Sequence, residues 1–340
     1  MELEGTILAG PTFDAVEGRV VVEDGEIAAV EACETDSDDI VLPAFVNAHT
    51  HIGDSIAKEA GRGLTLEELV APPDGLKHRL LREASRSELV AAMGRSMSFM
   101  EATGTSDFIE FREGGRRGVE MLREAAEGRA LRPFVMGRGD AEDVLPVADG
   151  YGATGANDDQ FGAERDAARD AGKPFAIHAG ERDASDIHPA IDLAPDLLVH
   201  MVHADPEHLT RVADEDIPIA VCPRSNLTTG VGLPDIAELS DFTTVALGTD
   251  NVFLNSPSMF REMEFAAKLS DCTAPEILGM ATRNGAEILD RNYGTIEEGR
   301  EARLLVLDGD SDNLAGYQDA VRAVVRRAGE SDVKRVLLKS

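Results

Sequence analysis

Four short stretches of the 340-residue chain carry side chains that bind metal ions or move protons, and each closes a strand-like apolar run. The first is "VLPAFVNAHTHIGDS", residues 41–55, which ends on His49 and His51. On a strand, residues two apart point to the same face, so both imidazoles can meet one ion; on a helix they would diverge by roughly 200°. "FAIHAGE" supplies His178 and Glu181, "LLVHMVH" supplies His200 and His203, and "VALGTD" supplies Asp250. Taken singly, none defines a site. A lone His-x-His can be structural, the Asp of "GTD" can simply cap the next helix, Glu181 can sit in a surface loop, and His200 can be a hydrogen-bonded core histidine. Together, at successive strand ends, they read as one metal-assisted acid–base centre. His203, His188 and His208 have no such support and read as surface or supporting residues.

The elements that must position these groups alternate. Apolar runs fall at Ile40–His51, Thr105–Arg112, Ala130–Arg138, Leu145–Tyr151, Pro174–His178, Leu197–His200, Ile217–Cys222 and Thr243–Asp250. Helical patterns separate most of them. Ser85 and Glu88 form a capping box ahead of Leu89, Met93, Met97 and Met100, and Gly104 closes that helix. Asp205-Pro206 and Ser256-Pro257 are further helix starts with proline at the first helical position. Eight strand–helix alternations over about 250 residues predict an α/β fold of the (β/α)8 TIM-barrel type, whose sites lie at the C-terminal ends of the strands. At the N-terminus, "GRVVVEDGEIAAVE" predicts two strands around a tight turn at Asp24-Gly25, and "GTIEEGREARLLVLDGD" predicts a strand over Arg303–Leu307. Both chain ends are therefore expected to build a small β-sandwich domain, residues 1–42 plus 295–340, beside a barrel of residues 43–294.

Composition narrows the function classes. The net charge of −31 arises from 64 acidic against 33 basic residues, and only six of the latter are lysines. Such a surface repels itself in dilute buffer and is tolerated where molar salt shortens the Debye length to about 3 Å. This predicts a halophilic setting and makes nucleic acid an unfavourable partner. The chain has no run of 18 apolar residues and no signal-like N-terminus, so a cytoplasmic protein without membrane contact is expected. Cys33, Cys222 and Cys272 are odd in number and far apart, which suits buried or half-buried thiols better than a disulfide framework.

"PAFVNAHTH", "HAGE", "VH", "CPRSN" and "GTDN", in this order and at these intervals, resemble the amidohydrolase superfamily. The resemblance is to its mononuclear branch of adenosine, cytosine and guanine deaminases and chlorohydrolase-like enzymes, and it covers nearly the whole chain. It implies His49, His51, His178 and Asp250 as ligands of one divalent ion, zinc first and iron or manganese as alternatives. It further implies Asp250 as acceptor of the attacking water's proton, His200 as the group that orients the attacking oxygen and stabilises the tetrahedral intermediate, and Glu181 as the proton shuttle to ring nitrogen and leaving group. The lysine that bridges two metals in binuclear relatives has no counterpart: Lys173 precedes the fifth strand, on the wrong side of His178. One departure stands out, Ala302-Arg303-Leu304 where the family usually has Ala-Asp-Leu.

The implied activity is hydrolytic deamination of a nucleobase-like amino-heterocycle. Hydrolysis of another C–N or C–halogen bond, by imidazolonepropionase-like or chlorohydrolase-like chemistry, is the alternative, and a catalytically silent metal-binding protein is the third. Candidate contacts to the small heterocyclic substrate are Asn226 of "CPRSN", which can equally be a turn-forming Asn; Lys77 with His78 in the lid-like stretch "APPDGLKHRLL", which can instead be a solvated helix start; and Arg112 with Glu113 at the end of the second barrel strand, which can instead be an ion pair supporting the rim. A polar wall of this kind suits a nitrogenous ring. Association into a homo-oligomer is compatible with the sequence.

Overall fold

A computed structural model describes residues 1–65, 68–69 and 75–338. Ala71, Pro72, Pro73 and Asp74 of the lid-like stretch lie outside the described residues. The two chain ends share a six-stranded sheet, as expected. Its strands are β1 (Glu2–Ala9), β2 (Asp14–Glu23), β3 (Glu26–Ala32), β4 (Ile40–Pro43), β14 (Leu304–Leu307) and β15 (Val333–Leu337), in the order β15-β14-β4-β1-β2-β3. Asp24 (φ 48°) and Gly25 (φ 83°) make the β2–β3 turn, both in the left-handed region that such two-residue hairpins require. Among the described residues these strands form one sheet, with no second sheet facing it.

The predicted strand Ile40–His51 is in fact two. Ala44 N–H bonds Arg303 O in the small sheet, whereas Phe45 N–H bonds Gly104 O in the large one, so the chain changes sheets between these neighbours. From there run β5 (Phe45–His51), β6 (Thr105–Arg112), β7 (Arg132–Gly137), β8 (Gly150–Gly155), β9 (Phe175–Ala179), β10 (Leu197–His200), β11 (Ile219–Val221), β12 (Val245–Leu247) and β13 (Asp250–Asn251). All neighbours are parallel, in the order β12-β11-β10-β9-β8-β7-β6-β5-β13. β8 begins later than Leu145 because Leu145 N–H and Ala148 N–H bond back to Ala141 O and Val144 O, which makes that segment a helical turn.

Only Gly248 and Thr249 separate β12 from β13, so one interrupted strand pairs with β11 on one side and β5 on the other. Gly248 N–H bonds Val221 O; Thr249 N–H is shared by His49 O and Asn47 Oδ1, both at 3.0 Å. Asn47 Nδ2 returns a bond of 2.7 Å to Thr249 Oγ1. The sheet thus curls back onto its first strand, the ring arrangement of a (β/α)8 barrel. Helices follow the strands, including Arg86–Ala102 with its Ser85–Glu88 capping box and Pro206–Asp214 capped by Asp205. The helix expected from Ser256-Pro257 starts two residues later, at Met259, with Ser258 as its cap. β5 and β6 are buried on both faces, as strands covered by helices must be.

Arg303, the residue that departs from the family pattern, is buried where the small sheet meets the barrel floor. Its guanidinium bonds Ser106 O and Ala130 O and lies 3.8 Å from Asp107. Arg132 and Arg291 also face that fully buried carboxylate, at 3.2 and 3.3 Å. Of the cysteines, Cys222 is buried, Cys272 half-buried and Cys33 exposed.

A Cβ on Gly248 would lie 2.7 Å from His49 Cβ and 2.8 Å from His49 N, contacts that neither backbone can relieve without parting β5 from the interrupted strand. Gly248→Ala is therefore predicted to destabilise the fold by about 2 kcal/mol and to weaken any divalent-ion binding at the adjoining His49 at least tenfold. Denaturation in molar salt and zinc titration check this; unchanged stability and affinity would contradict it.

Candidate active site

The ends of β5, β9 and β10 bring four imidazoles together. Ring centroids of His49 lie 4.9 Å from those of His51 and His178 and 5.8 Å from that of His200; His178 and His200 are 5.4 Å apart. Asp250 completes the group, with Oδ1 3.3 Å from His49 Nε2 and 3.6 Å from His51 Nε2. His178 Nδ1 is 2.8 Å from Ala153 O, so it donates there and leaves Nε2 as the lone-pair nitrogen.

The donor set fits a divalent ion. Two triads, His49–His51–Asp250 and His49–His178–His200, have ligand atoms within 4.8 Å of one another. His49 is fully buried and neither of its ring nitrogens has a hydrogen-bond partner. Burial pushes its pKa down to about 3, which keeps it neutral and able to give a lone pair. Burial acts the other way on Asp250, but His49, 3.3 Å away, and the other surrounding histidines hold it well below the usual carboxylate range. Imidazole nitrogens with one carboxylate are the donors that zinc and similar ions take. His200 (φ 79°), Met201 (φ 53°) and Asp250 (φ 54°) adopt left-handed backbone, a strain that clusters at such sites.

Glu181 lies across this centre, its Oε2 3.7 Å from His200 Nε2, and burial raises its pKa. The turn that presents it is held by Asp186, whose Oδ1 accepts Gly180 N–H at 2.8 Å. Lys173, by contrast, bonds the carbonyls of Leu145 and Ala148, away from the cluster.

Helix Pro223–Thr229 braces two of these groups with consecutive residues. Ser225 Oγ donates to Asp250 Oδ2, and Asn226 Nδ2 lies 3.2 Å from His200 Nδ1. Fully buried Glu262 anchors the helix by accepting from Arg224 N and from its guanidinium. The sequence leaves Asn226 open between substrate contact and turn former; the structure buries it completely beside His200, and it is not among the residues lining the cleft. Ser225 went unnoticed, although it stands beside Asn226 in "CPRSN".

An open cleft leads to the cluster, its wall including His51, His178, Glu181, His200 and Asp250 together with Arg138, Asp158 and Arg182. Of the other expected substrate contacts, Lys77 and Glu113 line this cleft, but each is engaged with the other. Lys77 Nζ sits 2.9 Å from Asp54 Oδ2 and 2.6 Å from Glu113 Oε1, and that same Glu113 oxygen is 3.3 Å from His51 Nδ1. The two carboxylates outweigh burial and raise the lysine's pKa. Arg112 is not on the wall. Its guanidinium packs against Gly53 and its Nε donates to Gly118 O, because Arg112 turns into the protein where Glu113 turns to the cleft.

Glu110, also unnoticed in the sequence, is fully buried and accepts from Thr50 Oγ1, Ile52 N and Gly53 N. It fixes the turn that follows His51, and burial pushes its carboxyl up to about 7 despite those donors. A carboxylate at the centre of the apolar run "DFIEFRE" was the signal for it.

Replacing Lys77 by Met would leave Asp54 and Glu113 facing each other, both buried. The expected outcome is a loss of about 3 kcal/mol or more in unfolding stability, read by denaturation in molar salt. A raised KM with unchanged stability would show instead that the ammonium serves the substrate.

Comparison with known proteins places this geometry in a family. The amidohydrolase family profile matches residues 40–339. An uncharacterized protein of Methanocaldococcus jannaschii is 34% identical over 97% of this chain and 96% of its own length. The 5'-deoxyadenosine deaminase of Methanosarcina mazei is 26% identical over 96% of this chain and 87% of its own. Among solved structures, an adenosine deaminase of Xanthomonas campestris with bound zinc superposes with a TM-score of 0.82, covering 99% of this chain and 91% of that one at 19% identity, a likeness of fold. No helix among the described residues is long and apolar enough to cross a membrane. With the profile spanning most of its length and a third of its residues shared with an end-to-end relative, the chain belongs to the amidohydrolase family.

Proposed function

We propose that this chain is a metal-dependent hydrolase that deaminates a nucleobase-like amino-heterocycle and releases ammonia. The carrying observation is the convergence of His49, His51, His178, His200 and Asp250 at one cleft floor, with a burial-raised Glu181 beside them. The deoxyadenosine-deaminating relative supports an amino-heterocycle as substrate. We propose one ion per chain, zinc first, held by Nε2 of His49, His51 and His178 and by Oδ1 of Asp250. The reading includes a catalytic part, residues 43–294, a small part made of residues 1–42 and 295–340, and a cytoplasmic location.

When bound, such an ion acidifies the attacking water and polarises the ring. The chain's own groups then divide the proton traffic. Asp250, held ionised and steadied by Ser225, accepts a proton from the water as its oxygen adds to the amino-bearing ring carbon. His200 donates a hydrogen bond to that oxygen. Glu181, kept protonated more readily by burial, gives its proton to the adjacent ring nitrogen, so the ring gains an electron sink. The Asp250 proton then passes to the exocyclic nitrogen while the added hydroxyl gives its proton to Glu181, so ammonia leaves, the ring carbonyl forms and both carboxyls are restored. Lys77, Glu113 and Asp54 hold the rim beside His51, while Arg112 and Asn226 support the wall from behind.

Ammonia release across aminated purines, pyrimidines and their nucleosides, assayed in molar salt, tests this. At least one is expected to turn over, and Glu181→Gln is expected to keep its metal while losing about 10²- to 10⁴-fold in kcat. Turnover of a lactam or a halide without any ammonia release would replace deamination by another hydrolysis.

A further inference from the structure

The two candidate ligand triads at the cleft floor make different use of His200: one includes it and the other leaves it out. An imidazole ligates through a nitrogen that carries no proton, and donates a hydrogen bond through one that does. Which role His200 plays therefore depends on where its single proton sits.

Two neighbours bear on this. Asn226 Nδ2 lies 3.2 Å from His200 Nδ1, so the amide donates and Nδ1 must be the lone-pair nitrogen. On the other side, Glu181 Oε2 stands 3.7 Å from His200 Nε2. A proton on Nε2 points toward that carboxyl oxygen, whereas a lone pair there would oppose it whenever Glu181 is ionised. The reverse orientation of the Asn226 amide would give Oδ1 a partner, which it otherwise lacks. It would also put the His200 proton on Nδ1 and turn the Nε2 lone pair toward Glu181. The ring cannot swivel away from these neighbours, because His200 is 1% exposed on a left-handed backbone of φ 79°.

We propose that Asn226 is a positioning residue that fixes the His200 proton on Nε2, and so keeps His200 off the metal as a hydrogen-bond donor to the oxygen that adds to the substrate. The inference rests on the metal-dependent reading of the site, yet it concerns a proton on the free protein and can be read with neither metal nor substrate present. It also explains why "CPRSN" places Ser225 and Asn226 side by side. One steadies the carboxylate that must lose no lone pair, and the other selects the imidazole nitrogen that must keep its proton.

Long-range proton–nitrogen NMR of the metal-free, histidine-labelled chain in molar salt, above the range where imidazole ionises, tests it. The His200 signal is assigned by its loss in His200→Gln. The expected wild-type result is a protonated Nε2 and an unprotonated Nδ1, unchanged in Glu181→Gln. Asn226→Leu, which fills the same space without a donor, is expected to give a mixture of tautomers. Its kcat is expected to fall about 10²-fold, as when one donor to a developing oxyanion is removed, with KM within threefold and metal content unchanged. A proton on Nδ1 in the wild-type chain, or a tautomer that follows Glu181→Gln, would overturn the proposal even if Asn226→Leu failed to fold. Absence of ammonia release with the expected tautomer in place would count against deamination alone.

Discussion

The site depends on how the barrel closes. The interrupted strand from Val245 to Asn251 pairs with β11 on one edge through Val245–Leu247 and with β5 on the other through Asp250–Asn251, across the break at Gly248-Thr249. Thr249 N–H, shared between His49 O and Asn47 Oδ1, fixes the register of that junction. The register sets Asp250 opposite Thr50, between the two histidines of the first strand, and this is what brings its carboxylate within 3.3 Å of His49. Glycine is needed because any Cβ there would strike His49 itself. Fold closure and the metal-binding geometry are thus one constraint.

Around that junction the charges are layered. At the centre are His49 and His178, which burial keeps neutral, and a carboxylate, Asp250, that its histidine neighbours keep ionised. Next come groups that hold them: Ala153 O on His178, Ser225 on Asp250, Asn226 on His200 and Glu113 on His51. Beyond these, Lys77 lies between Asp54 and Glu113, and Arg224 pairs with Glu262. A chain of net charge −31 has cations to spare for few places, and it spends one of six lysines here. A buried cation flanked by two carboxylates is costly to form and more costly to break, which ties the segment bearing Lys77 to the rim.

Much of this was legible in the sequence because strand periodicity and ligand chemistry reinforce each other. His49 and His51 share a face only on a strand, and His178, His200 and Asp250 each end another, so fold and cluster were readable together. What remained hidden depends on contacts between distant segments. The sheet change at Ala44 turns on a hydrogen bond to Arg303, some 260 residues away, and leaves no local mark in an apolar run. The start of β8 was misplaced because Leu145–Ala148 is apolar whether it folds as a turn or a strand. Arg112 and Glu113 are adjacent, but strand alternation sends one inward and the other to the cleft, and sequence spacing gave no way to tell which. The sequence leaves Asn226 open between substrate contact and turn former because its partner, His200, lies on a different strand end.

A crystal structure of the chain grown in molar salt with zinc tests the central claim most directly. The account predicts one ion per chain at about 2.0–2.2 Å from Nε2 of His49, His51 and His178 and from Oδ1 of Asp250, with His200 Nε2 beyond ligand distance. Two ions in the cleft, an ion ligated by His200 in place of Asp250, or a cluster that stays empty at saturating zinc would contradict it.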